Sequence, residues 1–300
     1  MDTNYITRTN SSNLAGYSFV IMAAFCWSLA TLFSKILFAA GLSALEISFW
    51  RASLGCICFG LHAACTRSLN IRPYHACLFI IWGMLSIGGL FYIYFLSMQH
   101  SGAAMGVVLL YTAPVWVALL SKFVSHEEVS KQKWLSIAIA LCGVVFICFS
   151  GGSLQAEMST TGIICGLGSG LCYALQYPFF KYWQKHYRTE TLYTYMQLGG
   201  TLLLLPFTHF HTPYSATTWP IIMMTALLTG YAAFWAYGQS MKRIPQVHVA
   251  VFCNLEPILG TLWACFFFGE NFTAAGWIGF AMILSAVVLL SLEGRRSSYV

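Results

Sequence analysis

Charge is what this sequence has least of. Only 8% of its 300 residues are Asp, Glu, Lys or Arg, against about a quarter in an ordinary water-soluble domain. With 58% of the chain hydrophobic, the composition excludes a water-soluble core. Catalytic signatures are missing as well. There is no HExxH, no paired Asp motif and no Gly-x-Ser-x-Gly, the patterns that bring metal ligands, acids or a nucleophile to one depth. An integral-membrane enzyme acting on a lipid or small metabolite is therefore the weaker alternative, and no catalytic residue, metal ligand or cofactor is expected. The net charge is +6, but no basic run is longer than a pair. Nucleic acid is not expected as a partner, and a cytoplasmic membrane face accounts for the basic residues better. No small-residue cleavage site follows the first apolar run, which is expected to be retained as a helix.

What is present is apolar length. Runs of about 20 residues fall near 16–40, 45–65, 74–97, 101–123, 134–150, 161–183, 191–208, 219–240, 246–268 and 273–292. They predict an all-α, polytopic membrane protein of about ten transmembrane helices. Aromatic residues reach 16%, suited to interfacial belts and a cavity wall. Eleven cysteines, among them Cys26, Cys56, Cys58, Cys142, Cys172 and Cys265, lie in apolar stretches and read as reduced packing residues. Basic residues then set the orientation. With the N-terminus inside, thirteen of the fifteen fall at cytoplasmic ends or loops, and the outer loops hold none. Lys35 and Arg51 are the two exceptions, inside the first and second spans.

The chain also repeats itself. A shift of 143 sets Pro114, Glu127 and Trp134 on Pro257, Glu270 and Trp277; a shift of 146 sets Cys26, Trp27 and Lys35 on Cys172, Tyr173 and Lys181. The expected organisation is a cytoplasmic tail (1–14), a five-helix repeat (15–150), an external linker (151–160), a second repeat (161–293) and a cytoplasmic tail (294–300). Five spans per half place the second half upside down, and inverted halves can expose one site to each side in turn.

Several residues carry a resemblance at this point: Trp27-Ser28, Arg51, Tyr111-Thr-Ala-Pro114 and Asn254-Leu-Glu-Pro257, each Pro motif followed by a loop Glu (Glu127, Glu270). In these the chain resembles the EamA-type branch of the drug/metabolite transporter superfamily. The resemblance implies a bacterial inner-membrane carrier with a cavity lined by spans 1, 3, 4, 6, 8 and 9. Members carry amino acids, nucleotide derivatives, choline, riboflavin and other metabolites.

The candidate substrate-binding residues are Trp27, Thr31, Lys35, Tyr92, Tyr111, Tyr173, Tyr177, Trp235, Gln239, Asn254 and Glu256. Charges inside a membrane are costly, about 2.5–3.5 kcal/mol at a helix centre, and usually face a cavity or a partner. Lys35 has an alternative in snorkelling to the headgroups. Glu256 is too short for that, so it is expected to bind a substrate amine or carry a coupling proton, beside carbonyls freed by Pro257. Glu46 and Arg51 read as interfacial residues, with a gate salt bridge as the alternative, Glu127 and Glu270 as caps, and His209 and His211 as a loop. Gly166, Gly168 and Gly170 lie in an apolar helix and read as close packing. The expected partners are a small polar or amphipathic metabolite, with an amino acid or derivative favoured, the lipid bilayer, and protons as a candidate coupling ion. The expected assembly is a monomer or homodimer.

Overall fold

The computed structural model describes residues 3–101, 103–124, 129–149, 159–210, 214–269 and 273–297. Glu127, Glu270 and His211 lie outside them. The described residues hold helices and no strand. We label the segments α1 (Thr3–Ala39), α2 (Ala44–Cys65), α3 (Pro73–Ser101), α4 (Met105–Phe123), α5 (Lys131–Phe149), α6 (Thr160–Trp183), α7 (Thr189–Leu204), α8 (Thr218–Met241), α9 (Gln246–Phe268) and α10 (Ala274–Ser297). Seven of them, α1–α4, α6, α8 and α9, are long and apolar enough to cross a membrane. The protein is therefore a polytopic membrane protein. Helix begins at Thr3, so residues read as an N-terminal tail are already helical, although the apolar stretch starts only at Asn13.

Local chemistry sets the boundaries. Helix α1 ends where Gly41 adopts φ 91° and the Leu42 N–H returns to the Leu37 carbonyl, the closure that a left-handed glycine permits. Ser43 then opens α2 with a capping box: its hydroxyl accepts from the Glu46 N–H while the Glu46 carboxylate accepts from the Ser43 N–H. Pro73 supplies the first residue of α3, where a missing N–H costs nothing.

Packing matches between the halves. Helix α1 packs on α8 and α9, and α6 packs on α3 and α4; α2 meets α8 as α7 meets α3. The remaining large pairings, α2 with α7 and α5 with α10, each join a helix to its own counterpart. Both run antiparallel. Gln132 donates to the Leu289 carbonyl at 2.6 Å while Gly143 and Gly279 approach each other further along. Likewise Thr66 reaches Glu190, and Cys56 reaches Thr194.

Glycine allows the closest crossings. A Cβ on Gly83 would sit 2.0 Å from the Met196 carbonyl oxygen, and one on Gly199 2.0 Å from that of Ile80. On α6, Gly162, Gly166 and Gly170 form the close face, meeting Ser101, Leu109 and the α4 backbone, whereas Gly168 meets only an ordinary contact at 3.4 Å. The small-residue reading of Gly166 and Gly170 therefore holds, with Gly162 in place of Gly168.

Helices α3 and α8 each widen into a π-helical turn, Met84–Gly89 and Ala226–Ala232. Such turns interrupt the regular ladder. Buried amides take carbonyls within them: Gln176 donates to the Ser86 carbonyl at 2.8 Å, and Gln197 to that of Gly230 at 3.2 Å.

Candidate functional site

Two prolines at matched positions shape the centre of the bundle. Pro114 and Pro257 have no N–H, so each removes one bond from the helix before it. Helix α4 breaks into a turn at Tyr111 and Thr112, and α9 breaks at Asn254. Helix α6 closes on the first break through Gly170, where a Cβ would lie 3.0 Å from the Leu109 carbonyl and 3.2 Å from that of Leu110.

Glu256 follows the second break. It is packed among protein groups yet keeps part of its surface accessible. The Tyr111 hydroxyl and the Arg51 guanidinium are the groups that act on its carboxylate. Arg51 belongs to the site and not to the interface, which corrects its sequence reading. Its guanidinium lies over the Phe91 ring at 4.2 Å, a cation–π contact that stabilises a charge away from water. Glu256, Tyr94 and Tyr173 are the titratable groups whose charge acts on it, and its Nε has no hydrogen-bond partner among the described residues. Nothing in the sequence singled out Tyr94. The signals for Arg51 were its place inside a span, against the charge partition, and its part in the family resemblance.

Glu46 is also misplaced by the interfacial reading, since it is fully buried. Besides capping α2 it accepts a hydrogen bond from Tyr214, which in turn accepts one from Trp50 Nε1 at 3.0 Å. Burial, and then the bond to Glu46, pushes the Tyr214 hydroxyl up to about 12. Glu190, 144 residues further on in α7, is buried as well, pairing with Arg188 Nε at 2.6 Å and accepting from Thr66 at 3.3 Å. Each end of the α2–α7 pair is thus fastened by a carboxylate from a helix's first turn.

Of the candidate residues, the structure gathers Trp27, Tyr111, Tyr173, Tyr177, Asn254 and Glu256 in one interior region. Trp27 meets Tyr173, Phe234 and Tyr237 at 6.4, 5.2 and 5.7 Å. Asn254 is wholly buried, and neither atom of its amide has a partner among the described residues. The other five lie elsewhere. Lys35 sits over Phe268 at 4.8 Å, near the end of α9. Tyr92 packs on Phe207 at 4.5 Å, on the far face of α3 from Tyr94. Gln239 accepts from Arg243 at 3.1 Å, and Trp235 meets Phe19 at 5.6 Å. Thr31 is exposed and touches α9 at Gly260. A helix can present more than one polar or aromatic face, and residue type alone does not say which one turns inward.

Comparison with known proteins bears on this arrangement. The sequence profile described as the EamA-like transporter family matches residues 14–149 and 160–292. An uncharacterized transporter of Archaeoglobus fulgidus is 30% identical over 65% of this chain and 70% of its own length. The threonine/homoserine exporter RhtA of Escherichia coli K12 is 23% identical over 71% of each chain. A solved crystal structure superposes with a TM-score of 0.80 at 18% identity, covering 96% of this chain and 98% of that one; it bears on the fold alone.

Proposed function

The chain belongs to the EamA-like transporter family, and from that premise we propose that it is a secondary transporter moving a small polar or amphipathic metabolite, an amino acid or derivative first, by alternating access. The observation that carries this reading is the Arg51–Glu256 pair, opposite charges acting on each other beside two broken helices. A carboxylate and an amine on one small molecule complement that pair. RhtA, a relative named for two amino acids, supports the same class.

We place about ten spans in the membrane as two inverted five-helix repeats. The antiparallel pairing of α2 with α7 and of α5 with α10 supports the inversion, because counterparts related by an axis along the membrane normal would run parallel. One end of the bundle carries Arg67, Arg72, Lys122, Lys131, Lys185, Arg188, Lys242 and Arg243. Basic residues favour the cytoplasm, so this basic end, with both termini, is assigned there, in a bacterial inner membrane. Glu256 is suited to carry a proton as the coupling ion. The protein acts as a monomer or homodimer, and the lipid bilayer is its other partner.

Counterflow in proteoliposomes tests the reading. Labelled L-threonine outside is expected to accumulate against unlabelled L-threonine inside without chemical change. Alteration of the amino acid would instead establish an enzyme. Tight binding of a nucleotide sugar, with no response to any amino acid or amine, would overturn the substrate class.

A further inference from the structure

On one side of the interior site the packing is complete. Between Glu256 and the basic end lie Phe59, Tyr177, Phe180, Tyr193 and Tyr237, none with any exposed surface. They interlock: Phe180 meets Tyr193 at 4.5 Å, Tyr193 stacks on Phe59 at 5.0 Å, and Tyr177 meets Tyr237 edge-on at 5.3 Å. Five rings from α2, α6, α7 and α8 thus form one packed cluster. Toward the other end, Arg51, Tyr94 and Glu256 all keep accessible surface.

These rings are poorly chosen for a permanent plug. The Tyr193 hydroxyl has no hydrogen-bond partner among the described residues, and the Tyr237 hydroxyl is approached by Tyr177 without hydrogen-bond geometry. Ser240, one turn from Tyr237, has a buried hydroxyl equally without a partner. Buried polar groups are normally satisfied, and each exception calls for an explanation. Phenylalanine would fill the same space without that cost. Hydroxyls that are unsatisfied in one conformation but line a wet passage in another resolve the contradiction.

We propose that Tyr193 and Tyr237 are gating residues: their rings close the basic end of the site, and their hydroxyls take hydrogen bonds from water and from a polar solute when that end opens. The proposal rests on the alternating-access reading above. The unpaired hydroxyls destabilise the closed arrangement and so keep it from becoming a trap. The bond from Tyr177 to Cys253 Sγ, at 4.0 Å, places a native thiol, itself 1% exposed, directly behind the closure.

That thiol is a reporter that needs no substrate. In liposomes, wild-type Cys253 is expected to react slowly with N-ethylmaleimide, read peptide by peptide by mass spectrometry. The double variant Tyr193→Phe/Tyr237→Phe is expected to slow that reaction at least about fivefold, the shift in equilibrium for about 1 kcal/mol, with an unchanged or higher melting temperature. Unchanged Cys253 labelling in the variant would overturn the proposal. So would a wild-type Cys253 that never reacts although it does so after denaturation, or a fall in melting temperature with faster labelling, which would make the hydroxyls structural. Labelling reports the gate whether or not amino acids are the cargo, so failure of the substrate class leaves this result readable.

Discussion

Trp27 and Tyr173 occupy equivalent positions in the two halves, 146 residues apart, and meet edge to face with ring centroids 6.4 Å apart. Two positions that the sequence sets on each other thus meet in the interior. The charges do not follow this symmetry: the position equivalent to Glu256 is Ala113. A shared scaffold with an unshared charge is what a carrier for one class of solute requires.

Glu256→Gln is the first variant to make. Gln keeps the shape and polarity but cannot exchange a proton or hold an amine by charge. Transport is expected to fall at least about tenfold, an effect of about 1.4 kcal/mol, and to lose its dependence on pH, while the melting temperature moves little. Near-normal, pH-dependent transport would remove Glu256 from the mechanism.

Arg51 and Glu256 are expected to be coupled. Removing one member of a charge pair leaves the other desolvated and alone, so Arg51→Met and Glu256→Gln together should cost less stability than the sum of the two singles, by about 0.5–3 kcal/mol. A double-mutant cycle from denaturation in detergent measures this. Strict additivity would mean that the two act independently.

The Tyr214 latch should be visible in stability alone. Tyr214→Phe leaves the buried Glu46 carboxylate short of a donor, at a cost of about 1.5–3 kcal/mol. Because the folded tyrosine titrates at about 12 and an unperturbed one at 10, its contribution is present in full below pH 10 and fades as the pH rises through 12. Melting temperatures from pH 6 to 9 should therefore show a constant gap between wild type and variant.

Helix crossings give a contrast within one residue type. Gly199→Ala must push a methyl into the Ile80 carbonyl, 2.0 Å away, and should cost about 1–3 kcal/mol or more or abolish expression. Gly168→Ala meets only Ile93 at 3.4 Å and should be neutral or stabilising by up to about 1 kcal/mol, since alanine favours helix. Comparable melting losses for both would refute the crossing geometry.

Much of this was legible in the sequence, and the exceptions have a common cause. Apolar runs located the helices because membrane insertion depends on length and hydropathy, which are local. Pro114 and Pro257 located the breaks because a missing N–H is a property of the residue itself. Tyr92 and Tyr94 could not be told apart, since they lie on opposite faces and nothing in the chain says which face α2 will meet. Arg51 was read as interfacial from its short distance to the start of α2; its partners lie on α3, α6 and α9, and only packing brings them there. Glu46 similarly read as solvated because its donor, Tyr214, is 168 residues away.

That last separation bears on how the protein is made. Helix α2 leaves the ribosome with a carboxylate in its first turn, and its Tyr214 donor follows only after α7. In the same way, Glu190 of α7 accepts from Thr66, made 124 residues earlier. Each acid also has a partner close by in sequence, Ser43 for Glu46 and Arg188 for Glu190. Two bonds that close these ends therefore form only after the later segment has been synthesised.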